Sequence, residues 1–180
     1  MPQPLNTGSA VQFGPDMVLK YPDLAAEIGN VCANWNLVEH MLTSLYALLM
    51  GDYLPKSPED FPPTHPVAYQ VFDSLNAFNP RVDLLDKLLA SRASDIEIKH
   101  FREVIRPGLR KRFAERSLVA HGIWGSCDDH PDALILVPLL GEQMIWKKTD
   151  FQNVSCRILK DLKLLSALAS ALYAQRDNRT

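Results

Sequence analysis

The sequence lacks most of what announces a known enzyme class. It has no Walker loop, no G-x-G-x-x-G, no G-x-S-x-G, no H-E-x-x-H and no EF-hand loop, so the backbone cradles and ligand spacings those chemistries require are missing. No apolar run approaches the roughly eighteen residues needed to cross a bilayer, and the first twenty residues carry neither a basic nor an apolar leader segment. Cysteine is scarce: Cys32, Cys127 and Cys156 are an odd number at wide spacing, which is no disulfide framework and fits a reducing compartment. These absences point to a cytoplasmic protein with no membrane partner. A strong charge of either sign is missing too, since the net charge is −2 and the pI about 6.2. The whole-molecule field therefore does not mark a nucleic-acid binder.

What is present suits one globular domain. The 180 residues are 47% hydrophobic and 22% charged, and a chain of that size buries about two-thirds of its unfolded surface without metal or disulfide staples. Residues 1–22 hold four prolines and no periodicity, and read as an extended N-terminal arm. Leu24, Ile28, Val31, Trp35, Val38, Leu42, Leu45 and Leu49 then recur at alternating fours and threes, which predicts a long helix with one apolar seam, closed by Gly51. Five prolines between Pro55 and Pro66 make the next stretch a loop. A second helix is expected over Pro66–Phe78 with Val67, Val71, Phe72, Leu75 and Phe78 inward. A third is expected from Asn79 as N-cap and Pro80 as first helical residue.

Ser94-Asp95-Ile96-Glu97 is a capping box that opens a fourth helix, with a kink or brief break expected at Pro107-Gly108 and an end at His121-Gly122. Short β-like runs at 133–137 and 144–146 predict a small hairpin, with Ile123 and Trp124 as a possible third strand. A second capping box at Thr149-Asp150-Phe151-Gln152 opens a final helix, after which 177–180 reads as a frayed tail. The expected fold is all-α: a bundle of about five helices over 23–176, with a β-hairpin insertion before the last.

Charge is unevenly placed. Seven of the nineteen lysines and arginines lie between Lys99 and Arg116, against Glu103 and Glu115 alone. Arg106, Arg110, Lys111 and Arg112 are thus candidates for contacting a polyanion. At the end of the same helix stand Arg116 and His121. Cations are favoured there by the helix dipole, and Gly122 lies where a left-handed C-cap residue belongs, so this segment is explicable without function. The pairing also has chemical sense, because a guanidinium binds phosphate bidentately while an imidazole exchanges protons near neutral pH. Cys127-Asp128-Asp129-His130 offers metal-type donors but no second ligand pair at zinc spacing, so a polar turn, with no metal and no cofactor, is the expectation.

Arg116-Ser117-Leu118-Val119-Ala120-His121, followed by Gly122 and Trp124, matches R-x4-H within an "AHGxW" helix end. On these residues, and on the order of helices around them, the chain resembles the HEPN superfamily. The resemblance implies a helical bundle that forms a homodimer with its motifs face to face. It also implies a metal-independent endoribonuclease acting on single-stranded RNA, in a toxin–antitoxin or defence setting with a cognate antitoxin or regulatory protein. Arg116 would bind the scissile phosphate and His121 would assist the 2′-hydroxyl or protonate the leaving oxygen, with Ser117 and Glu39 supporting. Two positions depart from the family pattern: Ser117 stands where catalytic members often have Asn, Asp or His, and Ile123 where the subgroup paired with nucleotidyltransferase antitoxins has Tyr. A non-catalytic HEPN-like module binding RNA, nucleotide or protein is the other reading. Arg116 and His121 are five residues apart, about 140° around an ideal helix, so in one chain they meet only if the helix frays before His121.

Overall fold

The computed structural model describes residues 2–6, 8–50, 66–138 and 141–177. The proline-rich loop expected between Pro55 and Pro66, the closure at Gly51 and the tail beyond Asp177 lie outside the described residues. The helices are α1 (Pro22–Met50), α2 (Pro66–Asp73), α3 (Phe78–Arg92), α4 (Asp95–His100), α5 (Arg106–His121) and α6 (Lys148–Asp177). The strands are β1 (Gln3–Pro4), β2 (Gln12–Phe13), β3 (Ile123–Ser126), β4 (Ala133–Val137) and β5 (Met144–Lys147). The chain separates into two compact units, Met1–Trp35 with Ala114–Ile158, and Asn36–Phe113 with Leu159–Thr180.

In the first unit the strands form an antiparallel sheet of five in the order β1-β5-β4-β3-β2. The helical expectation therefore holds for most of the chain, but a small hairpin understates the β content. The expected arm is the reason: its segments at Gln3–Pro4 and Gln12–Phe13 supply both edges of the sheet. Strands of two residues leave no periodicity to read, and Pro4 is acceptable only because an edge strand has a side without ladder bonds.

β4 sits at the centre and is buried on both faces, which accounts for its unbroken apolar run Ala-Leu-Ile-Leu-Val. Ala133 and Ile135 face Leu5, Cys127 and Ile145, with Val11 and Val137 packed at the margin. On the other face Leu134 lies opposite Trp146, and Leu136 opposite Trp124. The two indoles meet edge-on at 5.7 Å between ring centres, and Phe151 of α6 packs on both at 5.4 and 5.1 Å. α6 starts two residues earlier than the Thr149 capping box predicts, at Lys148 rather than Asp150. Asp150, not Thr149, does the capping, since its carboxylate accepts the Lys147 backbone N–H at 3.1 Å.

The second unit is helical among its described residues. The part of the predicted α1 seam that falls here, Val38, Leu42, Leu45 and Leu49, is buried, but so are Thr43, Ser44, Tyr46, Ala47 and Leu48, so this stretch of the helix is covered all round. α2 ends at Asp73 rather than Phe78; of the residues predicted inward Phe72 and Phe78 are buried, whereas Val67 and Val71 are exposed and Ala68 turns inward instead. α3 begins at Phe78 with Ala77 as cap, so Pro80 stands at the third helical position rather than the first. It loses nothing there, because the first four amides of a helix have no partner within it. The Ser94–Glu97 capping box forms as predicted, with the Ser94 amide donating to Glu97 Oε2 at 2.9 Å. No break occurs at Pro107. The helix instead widens over Phe101–Ile105 into a π turn, in which the Arg106 N–H reaches the Phe101 carbonyl. Shifting the ladder by one residue just before a proline absorbs its missing donor.

Candidate functional site

α5 carries the basic run, and the structure engages most of it internally. Arg102 and Arg106 donate to Asp86 at 2.7 and 3.2 Å, while Arg106 and Arg110 donate to Asp83 at 2.7 and 2.8 Å. Arg112 is buried at 7% exposure. Of the residues expected to form a polyanion surface, Lys111 is exposed and unpaired among the described residues, whereas Arg106 and Arg110 are ion-paired. The two aspartates are three apart on α3 and so share a face, and Arg102, Arg106 and Arg110 recur every four residues. That complementary spacing is a sequence signal for the network, although Asp83 and Asp86 are not singled out by motif.

Arg116 differs from these neighbours. It forms no ion pair among the described residues; like Arg106 it is half-buried with its Nε buried and without a hydrogen-bond partner, but Arg106 has two carboxylates at its terminal nitrogens and Arg116 has none. The adjacent carboxylate, Glu115, accepts instead from Arg157 at 3.3 Å. An unsatisfied buried guanidinium nitrogen carries a desolvation cost of about 1–3 kcal/mol. Ser117 beside it is half-buried, and His121 is exposed, flanked by exposed Leu118 and Ile123.

Helical geometry persists through His121. The fraying that would let Arg116 and His121 meet within one chain therefore does not occur, and their side chains leave α5 about 140° apart. Glu39 belongs to the second compact unit, where its backbone carbonyl accepts the Thr43 hydroxyl at 3.0 Å. Its half-buried carboxylate forms no hydrogen bond or ion pair among the described residues.

The rest of the motif has a structural explanation. Gly122 is the single residue between α5 and β3, and it is not left-handed: among the described glycines only Gly8 and Gly141 have positive φ. This corrects the C-cap expectation. Glycine is required by close approach, because a Cβ would run into Leu136 Cδ1 and lie 2.6 Å from the Leu118 carbonyl oxygen. Trp124 is buried and donates its indole N–H to the Val119 carbonyl at 3.2 Å, satisfying one of the orphan acceptors of the last turn of α5.

The Cys127–His130 segment is a turn, closed by the His130 N–H to the Cys127 carbonyl at 2.9 Å. Ser9 donates to Asp129 there at 2.8 Å. Among the described residues no group of three or more His, Cys, Asp or Glu side chains is placed to hold a metal ion, and no helix is long and apolar enough to cross a membrane. The cysteines are all unpaired. No family model matches this chain, and neither does any curated protein or solved structure.

Proposed function

We propose that this chain is a HEPN-like, metal-independent endoribonuclease whose site is completed by a second copy, with Arg116 and His121 as the reacting pair. One observation supports this most: among the arginines of the basic stretch, Arg116 is the one whose guanidinium finds neither a carboxylate nor any other partner among the described residues. A phosphate would supply the missing acceptors in bidentate geometry. The reading rests on the R-x4-H resemblance for its chemistry. Arg116 binds the scissile phosphate and offsets the charge that grows on it. The ribose 2′-oxygen attacks phosphorus, the bond to the 5′-oxygen breaks, and a 2′,3′-cyclic phosphate and a free 5′-hydroxyl result. His121 takes the proton from the 2′-hydroxyl or delivers one to the 5′-oxygen. A two-fold axis would set each His121 against the other copy's Arg116, removing the 140° divergence within one chain.

A second reading is favoured by the exposed Leu118 and Ile123 on either side of His121, and by the neutralised Arg106 and Arg110. In it the chain is a non-catalytic HEPN-like module that binds a regulatory protein or RNA through this end of α5. The two separate in one assay. The endoribonuclease cuts single-stranded RNA in excess EDTA, and His121→Ala abolishes cutting while RNA affinity is kept. The binding module holds its partner without turnover.

A further inference from the structure

A second polar site lies in the first compact unit and uses neither Arg116 nor His121. Where α1 and α6 begin, Lys20, Tyr21, Asp23, Asp132, Lys147 and Lys148 help to line a cleft of about 490 Å³. That volume is within the ~300–1,000 Å³ of small-ligand sites. Three ammonium groups face two carboxylates. Lys147 pairs with Asp132 at 3.1 Å and Lys148 with Asp23 at 3.8 Å, and all four side chains are at least half exposed. Such pairs contribute little and exchange readily. Lys20 is exposed and has no hydrogen bond or ion pair among the described residues.

The charge count selects the ligand. A monoanion entering the cleft meets one ammonium without a carboxylate, Lys20, and gains nothing over the aspartates at Lys147 and Lys148, whose charge it only matches. A terminal phosphate, at about −1.5 to −2 near neutral pH, gains against both. It engages Lys20 and draws Lys147 and Lys148 from their aspartates. Asp150 already occupies the Lys147 amide, so the ligand is held chiefly by lysine side chains, with the positive ends of two long helices adding to the local potential. We propose that this cleft binds a terminal phosphate, a phosphomonoester or diphosphate, with Tyr21 beside it; a mononucleotide and a 5′-phosphorylated RNA end share that chemistry.

Calorimetric titration of the full chain tests it, with inorganic pyrophosphate, ADP, adenosine and a short RNA bearing either a 5′-phosphate or a 5′-hydroxyl. Saturable binding of pyrophosphate and ADP, but not adenosine, is expected. Lys20→Gln with Lys148→Gln should weaken that binding about tenfold or more at unchanged melting temperature, and Asp23→Asn should strengthen it. A preference for 5′-phosphate over 5′-hydroxyl RNA identifies an RNA end as the source, and its absence alongside ADP binding identifies a mononucleotide. The proposal is overturned if neither pyrophosphate nor ADP saturates and the 5′-phosphate confers no gain. Equal affinity in the double lysine variant also overturns it.

Discussion

The indole of Trp124 caps the helix that precedes it, donating to the carbonyl of Val119 five residues upstream at 3.2 Å. This bond and the close approach at Gly122 turn the chain from α5 into β3 within one residue, and they hold His121 at an exposed helix end.

Removing the cap without removing the ring should cost stability. Trp124→Phe leaves the Val119 carbonyl unsatisfied and is expected to destabilise by about 1–2 kcal/mol, read as a lowered midpoint in urea. Gly122→Ala forces the new methyl against Leu136 and should cost about 1–3 kcal/mol. Combining it with Leu136→Ala removes the side-chain part of the clash and leaves the contact with the Leu118 carbonyl, so the double variant should lose less stability than the sum of its parts while remaining below Leu136→Ala alone.

Arg116 distinguishes a structural residue from a functional one. If its role were packing, Arg116→Met would be neutral or destabilising. A guanidinium held without a partner predicts the opposite: Arg116→Met should gain about 1 kcal/mol, about 2–4 °C in thermal melting for a chain of this size, while abolishing RNA cleavage.

The ion-pair network masks positive charge, which Asp83→Asn with Asp86→Asn should release. The double variant is expected to bind single-stranded RNA more tightly at low salt, and with a steeper salt dependence as Arg102, Arg106 and Arg110 become free for phosphates. Its stability should fall by at least about 1 kcal/mol, the upper end for exposed ion pairs, because Asp86 and Arg106 are mostly buried. Unchanged affinity would place the RNA path away from this face of α5.

Asp132 provides a pH check. The hydrogen bond from Lys147 holds its carboxyl below the usual value. Its folded pKa is depressed, so any stabilisation it gives is present above the unfolded value and is lost as pH falls through the folded one. Because the group is exposed, an NMR titration of Asp132 is the direct readout, and Lys147→Ala should move its midpoint upward.

Much of the helical frame was legible because long amphipathic repeats and side-chain caps are local. The α1 seam and the Ser94–Glu97 box need nothing beyond their own residues. The edges of the sheet were not legible, because Gln3–Pro4 and Gln12–Phe13 become strands only through partners more than a hundred residues away. Pro107 in the sequence predicts a kink or brief break, yet a π turn upstream absorbs it without a break. Gly122 is singled out by the sequence for a conformational reason, whereas the cause is close approach to the Leu136 side chain of another strand and to the Leu118 carbonyl of α5. In the candidate site, composition showed the arginines but not their carboxylates, so Arg106 and Arg110 read as free cations. The contrast that isolates Arg116 emerges only once Asp83, Asp86 and Glu115 are seen to be engaged elsewhere.

Subunit complementation tests the shared site most directly. Arg116→Ala and His121→Ala proteins are assayed on single-stranded RNA in excess EDTA, first separately and then after mixing under conditions that exchange subunits. If each site joins Arg116 of one copy to His121 of the other, each variant alone is inactive and the mixture recovers roughly a quarter of wild-type activity, because half the dimers are mixed and each has one intact site. A mixture as inactive as its components, beside an active wild type, would contradict the account.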